Sequence, residues 1–402
     1  MRRSSRFIAA LIVILLILCW LYFSNVTLKR TRKIQPEENK DKEIPLNTSA
    51  SINLPDENVN LEMLKEFELR HTLVPPIPLN ISASINLPDE NVNLEMLKEF
   101  ELRHRLVQPN NTCLSIQRLK KIVLAVNFNF PHYAAVPFLK PYYEPVFGKV
   151  IFCGQDEDKK HGVIKISENK GYQGYLCVTM AIKLYPGYDG YIHTNDDVLI
   201  NWWNLLKLND SQIWTSSLLN LHRAYEFGKP VPINDWYWWN DQNTPAACEA
   251  AFREVKGIIS KPENLSFSGE IYLRRYYKNT KNKDLCINGF SDVFYIPKEH
   301  APAFQVFAEI FGNKKVFLEA AVSTIMTFLV NDTNFIQLPG VYLNNAYGYS
   351  KTYLSGEAFY ESYTVDLYVL HPFKLDGAMK KANRNMFNEV VVKYGENYRK
   401  DC

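Results

Sequence analysis

Between residues 118 and 200, short apolar runs alternate with stretches of helical period, and this alternation limits the fold more than any other feature of the chain. Residues 121–127 (KIVLAVN), 149–153 (KVIFC), 163–166 and 190–194 (GYIHT) read as strands, because each is short, apolar and bounded by polar or turn-forming residues. Residues 133–145 and 172–185 supply helices between them. Strands separated by helices imply right-handed crossovers and a mainly parallel α/β sheet flanked by helices. Further on, 286–297 reads as a strand, 298–311 and 317–330 as helices, and 366–370 as the last strand. Residues 116–402 suit one enlarged α/β domain or a closely joined pair.

A different kind of segment precedes this domain. Residues 7–23 (FIAALIVILLILCWLYF) carry no charge and no helix breaker, and extension to residue 26 gives a run long enough to cross about 30 Å of hydrocarbon. No small-residue cleavage site is evident, so an uncleaved signal anchor is expected, with residues 1–6 as a cytosolic tail. Cations on the two sides of the run nearly balance and leave its orientation open. Acceptor sequons at Asn47, Asn80, Asn110, Asn209, Asn264 and Asn331 favour a lumenal C-terminal part. Cysteine usage agrees: Cys113, Cys153, Cys177, Cys248, Cys286 and Cys402 form an even set without zinc spacing, which reads as disulfides of unspecified pairing. The net charge is +3, yet residues 1–33 hold seven cations and no acid, so the remainder carries −4. A nucleic-acid footprint is therefore not expected.

Residues 45–74 and 78–107 are a direct repeat offset by 33, differing only at Thr48/Ile81 and Thr72/Arg105. Two copies are too few for a solenoid core. Each carries an expected helix, at 56–71 and 89–104, and Pro-rich joints separate the copies. Residues 27–115 thus read as a stem, a flexible or partly helical spacer; a homodimer through span or stem is the alternative use of these helices.

The sharpest chemical signal is the segment 188–200, YDGYIHTNDDVLI. An apolar strand ends in Asn195-Asp196-Asp197 and another apolar segment follows at once. Ligand sites of open α/β sheets lie outside the carboxyl ends of strands. Two adjacent carboxylates there are costly to leave unpaired. A hard divalent cation relieves them and keeps coordination positions for phosphate oxygens. The alternative is a capped turn, with Asp196 or Asp197 opening a helix over 199–206.

This motif, on this chain architecture, resembles the metal-binding acidic motif of glycosyltransferases with the GT-A (Rossmann-like) fold, and especially the type II Golgi enzymes with a short tail, signal anchor, stem and lumenal catalytic domain. The resemblance implies Mn2+ bridging the diphosphate of a nucleotide-sugar donor, with Asp197 as direct ligand and Asp196 as ligand or ribose contact. Asn195 stands where an acid is often found, so Asn195→Asp is expected to leave metal affinity equal or better. Asn127 and Asn129, in and after the first strand, and the loop holding Gly171 and Tyr172 would line the donor site. His371 resembles C-terminal histidines that complete the metal site in some members, and Lys374 would meet phosphate.

An inverting transfer, slightly favoured over retention, needs a carboxylate to take the acceptor proton. Glu319, at the start of an apolar helix, is the first candidate and Asp292 the rival. The aromatic run 236–239 (WYWW) would serve as a platform for the acceptor, a glycan, glycoprotein or glycolipid. Two other readings stand beside the transferase: a non-catalytic relative, which the amide at 195 favours, and a metal-dependent phosphoester hydrolase using Asp196 and Asp197. Localisation follows the architecture, in the Golgi or endoplasmic reticulum membrane.

The topology has a direct check. Glycosidase treatment of the protein from cells should increase its gel mobility. An unchanged band, with the C-terminus open to protease in intact microsomes, would reverse the orientation.

Overall fold

A computed structural model describes residues 114–167, 171–216, 224–229, 244–261, 265–331, 334–342, 363–376 and 380–401. The expected tail, span, tandem repeat and aromatic run 236–239 lie outside the described residues. Among the described residues no helix is long and apolar enough to cross a membrane.

Among the described residues twelve strands follow in chain order: β1 (Ile122–Phe128), β2 (Lys149–Gly154), β3 (Val163–Lys165), β4 (Gly190–Asn195), β5 (Leu199–Ile200), β6 (Ile213–Thr215), β7 (Ala224–Glu226), β8 (Leu285–Ile287), β9 (Val293–Pro297), β10 (Phe335–Gln337), β11 (Gly340–Tyr342) and β12 (Val369–His371). Seven make the main sheet in the order β10-β6-β9-β4-β1-β2-β3. β5 joins β11 and β12 in a small second sheet, and β7 pairs with β8.

Every residue of β1 is buried, as expected of a central strand covered on both faces. Its period of two divides the interior into two cores. Ile122, Leu124, Val126 and Phe128 pack with Leu139 and Tyr143 of helix Val136–Tyr143 and with Phe387 and Tyr398 near the C-terminus. Val123 and Ala125 face Val178, Phe307 and Val322, from helices Leu176–Leu184, Ala301–Asn313 and Leu318–Leu329. Two buried disulfides stitch the second core: Cys153–Cys177 ties β2 to the Leu176–Leu184 helix, and Cys248–Cys286 ties helix Thr244–Ile259 to β8.

The main sheet is mainly parallel, as expected: β1, β2, β3 and β4 are parallel, and so are β6 and β10, while β9 runs antiparallel to both β4 and β6. Two readings change in the folded chain. The run 286–297 is two strands, β8 and β9, broken by the polar segment 288–292, and β8 leaves the main sheet to pair with β7. Residues 199–206 are not one helix: Leu199 and Ile200 pair antiparallel with Leu370 and Val369, and only Trp202–Leu205 is helical. The apolar Leu-Ile pair reaches more burial in a two-sided ladder than in a capped surface helix.

β4 and β9 approach closely at Gly190, where an added Cβ would lie 2.2 Å from the ring of Tyr295. That ring is stacked on Trp214, and its hydroxyl donates to the Asp210 carbonyl at 2.9 Å, so it has nowhere to retreat. Gly190→Ala is therefore expected to cost about 1–3 kcal/mol by overpacking. Urea unfolding of wild type and variant checks this; an unchanged midpoint would mean that the strands can part.

Candidate active site

The carboxyl end of β4 is held on both flanks by backbone. The Asp196 N–H donates to the Asn127 carbonyl at 2.8 Å, continuing the ladder to β1, and the Asn195 N–H donates to the Asp292 carbonyl at 2.9 Å. The chain then turns, with the Val198 N–H donating to the Asn195 carbonyl, and enters β5. β5 pairs with β12, and beyond β12 the Phe373 N–H donates to the Asp197 carbonyl at 2.6 Å. The acidic pair is thus pinned between three distant segments, each of which brings a functional side chain.

From the C-terminal segment come His371 and Lys374. Lys374 Nζ lies 2.7 Å from Asp197 Oδ2. His371 Nε2 stands between two carboxylates, 3.6 Å from Asp197 Oδ1 and 3.5 Å from Asp292 Oδ1. From the segment before β9 comes Asp292, whose Oδ1 accepts from Asn195 Nδ2 at 3.2 Å. From the end of β1 come Asn127 and Asn129, joined side chain to side chain at 2.9 Å. Gly171 closes on them with a positive φ of 82°, and an added Cβ there would meet Asn129 Oδ1 at 2.4 Å. Glycine meets both demands at once.

Asp196 and Asp197 are only 7% and 6% exposed. Burial and the neighbouring Asp197 charge push the Asp196 carboxyl up, against the pull of Lys374 and of a backbone N–H from Asn129. Burial acts on Asp197 in the same direction, but Lys374 and His371 overcome it and hold this carboxyl below the usual range. Two like groups in one site are thereby driven apart in protonation, a pattern common at catalytic centres. Asp197 Oδ1 is buried without a hydrogen-bond partner. A buried carboxylate oxygen of that kind fits a divalent cation. Among the described residues, however, no group of three or more His, Cys, Asp or Glu side chains is placed to hold a metal ion. Lys374 already supplies a positive charge to the other oxygen of Asp197, Oδ2.

The two base candidates differ in surroundings. Asp292 belongs to the same cluster as His371 and Asn195. Glu319 lies nearby; its backbone carbonyl accepts from the Gly289 N–H at 3.3 Å, and its Oε2 is buried with no hydrogen-bond partner. Burial first, and the Asp292 charge second, push the Glu319 carboxyl well above the ordinary range. Tyr172 is 1% exposed and packs edge-on to Phe317 with ring centroids 4.9 Å apart, so its face is a core contact and not an open stacking platform.

One contributor escaped the sequence reading. His193 is fully buried on β4, two residues before Asn195 and so on the same face of the strand. It stacks on Phe294 with ring centroids 4.7 Å apart, and its Nε2 lies 3.3 Å from Asn195 Oδ1. Burial lowers its pKa to about 3, so the ring is neutral at physiological pH. The Asn195 amide is committed at both ends, its oxygen facing His193 and its nitrogen donating to Asp292. An acid at 195 would replace that donor with a second carboxylate against Asp292, a cost the sequence expectation for Asn195→Asp did not contain. The period-two relation to Asn195 was the available signal.

No protein-family model matches the chain. It is 22% identical over 193 residues to Probable glycosyltransferase STELLO2 of Arabidopsis thaliana, a match covering 48% of this chain and 23% of that protein. Against Probable glycosyltransferase STELLO1 of the same plant, identity is 22% over 194 residues, covering 48% of this chain and 22% of that protein. The likeness is to glycosyltransferases. It spans less than a quarter of either relative's length. These distant relatives support a glycosyltransferase-like assignment, and the mixed, mostly parallel α/β sheet is consistent with a GT-A-like fold.

The environment of Glu319 makes a pH-dependent prediction. An unfolded glutamate loses its proton above about pH 4.3, whereas folded Glu319 keeps its proton well above that value. The unfolded state therefore binds fewer protons there, and stability contributed by this group falls as pH rises from about 4.3. Glu319→Gln lacks this dependence, so the variant should gain on wild type as pH rises above about 4.3. Denaturant midpoints across pH measure this; a loss in the variant that grows with pH would show that Glu319 is ionised in the fold.

Proposed function

We propose that the chain is a metal-dependent glycosyltransferase that moves a sugar from a nucleotide-diphosphate donor to a hydroxyl of a lumenal glycan, glycoprotein or glycolipid. The observation that carries this reading is the convergence of Asp196, Asp197, His371, Lys374 and Asp292 at the carboxyl end of β4, beside the Asn127–Asn129 loop. Sugar-nucleotide chemistry asks for these features together: charge for a diphosphate, a polar strand end for the nucleoside, and a carboxylate set across from them. The likeness to proteins named as glycosyltransferases favours it over a phosphoester hydrolase.

Asp197 would hold Mn2+ or another divalent cation, with His371 or Asp196 as a second ligand, or Asp196 as a ribose contact; because no three side chains among the described residues are placed to hold the ion, donor phosphate oxygens would have to complete its coordination. When bound, the ion supplies positive charge that stabilises the departing diphosphate. The residues of the chain do the rest. Asn127, Asn129 and Gly171 shape the loop against which the nucleoside rests, and Lys374 meets a phosphate oxygen. Asp292 takes the proton of the acceptor hydroxyl as that oxygen bonds to the anomeric carbon and the carbon–phosphate oxygen bond breaks, giving inversion. Asp292 suits this role better than Glu319 by placement, because Asp292 meets His371 and Asn195 in the cluster whereas Glu319 Oε2 is buried without a hydrogen-bond partner. His193 and Asn195 orient Asp292 by the chain of contacts from β4. In the cell, the expected anchor and stem would present this site in the lumen of the Golgi or endoplasmic reticulum.

Full-length protein screened against a panel of nucleotide sugars, with and without Mn2+, tests the reading. Asp197→Asn should lose metal-linked donor binding and at least about a hundredfold in rate. Asp292→Asn should keep donor binding and lose about a hundredfold to ten-thousandfold in turnover. A folded wild type with no metal-linked nucleotide binding would instead favour a non-catalytic relative, consistent with the committed amide at 195.

A further inference from the structure

Lys374 combines a fixed backbone with a half-exposed side chain. Its carbonyl accepts from Asn383 Nδ2 at 2.7 Å, and the next carbonyl, that of Leu375, accepts from Arg384 Nε at 2.6 Å. On the other side, the Phe373 N–H is bound to the Asp197 carbonyl. The turn after β12 is therefore clamped between the acidic motif and the helix Lys380–Met386. The Lys374 side chain remains 39% exposed, while that of its partner Asp197 is 9% exposed. A clamped turn bearing a long, partly solvated cation lets the ammonium change partners with little backbone movement.

The ammonium and a divalent cation compete for one carboxylate. Lys374 occupies Asp197 Oδ2 at 2.7 Å, and the other oxygen, Oδ1, is buried without a hydrogen-bond partner. An ion approaching Oδ1 meets the repulsion of the Lys374 charge on the same carboxylate. A nucleoside diphosphate changes this balance, because its phosphate oxygens give Lys374 a new partner as Asp197 is released.

Resting on the transferase reading above, we propose that Lys374 is a built-in counter-ion that closes Asp197 in the donor-free protein and passes from Asp197 to the diphosphate when metal and nucleotide arrive together. Metal alone is then bound weakly, and nucleotide and metal bind as a pair. The exchange also keeps the acidic motif neutralised between turnovers, when an unpaired buried carboxylate would be costly.

Electron paramagnetic resonance of Mn2+ titrated into the full-length protein tests this without turnover, because the six-line signal of free Mn2+ falls as the ion binds. Removing the competing cation in Lys374→Met should tighten Mn2+ binding in the absence of nucleotide by about tenfold or more. The same variant should bind UDP or GDP less tightly in the presence of Mn2+, also by about tenfold. Lys374→Arg keeps a cation and should stay near wild type for Mn2+ alone. Because Lys374→Met strips a buried carboxylate of its partner, thermal unfolding is run beside the titration; added Mn2+ should raise the variant's midpoint more than that of wild type. The proposal is overturned if folded Lys374→Met binds Mn2+ alone no more tightly than wild type, or if wild type binds Mn2+ equally well with and without the nucleotides. Tighter Mn2+ binding in Lys374→Met alongside no nucleotide binding by any form would sink the transferase reading and the passage to a diphosphate with it, whereas nucleotide binding by a folded Lys374→Met that gains no Mn2+ affinity would sink the counter-ion alone, so the two failures are separable.

Discussion

Asp196 and Asp197 are consecutive, and both are removed from water at the end of a buried strand. Withdrawing a carboxylate from water costs several kcal/mol unless opposite charge or hydrogen bonds replace its hydration. Much of the architecture around β4 can be understood as that replacement. The pairing of β5 with β12 delivers Lys374 and His371; the Asn127–Asn129 loop delivers an amide N–H to Asp196; Gly171 closes over that loop with a backbone that leaves Asn129 its space. The supply is uneven. Asp197 receives the cations, whereas at Asp196 burial and the like charge beside it outweigh the more distant Lys374 and the Asn129 N–H. Unequal surroundings give two chemically identical side chains different protonation preferences, which is how adjacent acids come to hold different roles.

The antiparallel β9 is the second organising element. It inserts between β4 and β6, so its entry from the polar segment 288–292 falls beside the exit of β4. Asp292 reaches the acidic pair for this reason alone, 95 residues or more away along the chain. A parallel neighbour would have entered at the opposite end of the sheet. The close approach of β4 and β9 at Gly190, where Tyr295 fills the space a side chain would take, keeps the two strand ends in register.

Behind the charged cluster lies a neutral polar chain. His193, stacked on Phe294 and buried, meets the oxygen of Asn195, and the nitrogen of Asn195 meets Asp292. A neutral ring and a neutral amide can fix a carboxylate without adding charge to a low-dielectric interior, where a further acid would raise the repulsion that Lys374 and His371 offset. The amide at 195 is thus a working part of the cluster as folded.

The amino-acid sequence by itself determined the α/β alternation, the parallel strands β1 to β4, the helices Val136–Tyr143, Leu176–Leu184, Ala301–Asn313 and Leu318–Leu329, and the acidic motif at the end of β4, but not the helices Thr244–Ile259 and Gly269–Asn279. Each rests on local signals: apolar runs of strand length, helical spacing, and a sharp change from apolar to acidic residues. The acidic motif found that way and the candidates that the family resemblance added to it, Asn127, Asn129, Gly171, Asn195, Asp196, Asp197, Asp292, His371 and Lys374, do gather at one end of the sheet. Only the tertiary structure decided the direction of β9, the split of 286–297 into strands of two sheets, the pairing of Leu199–Ile200 with β12, and the choice of partners for the cysteines at 153, 177, 248 and 286. It also decided that Tyr172 is core, that burial raises the Glu319 pKa, that His193 meets Asn195, and that Lys374 sits on Asp197. Strand direction, burial and charge pairing depend on segments far apart in the chain, and no local pattern of residues encodes which of them will meet.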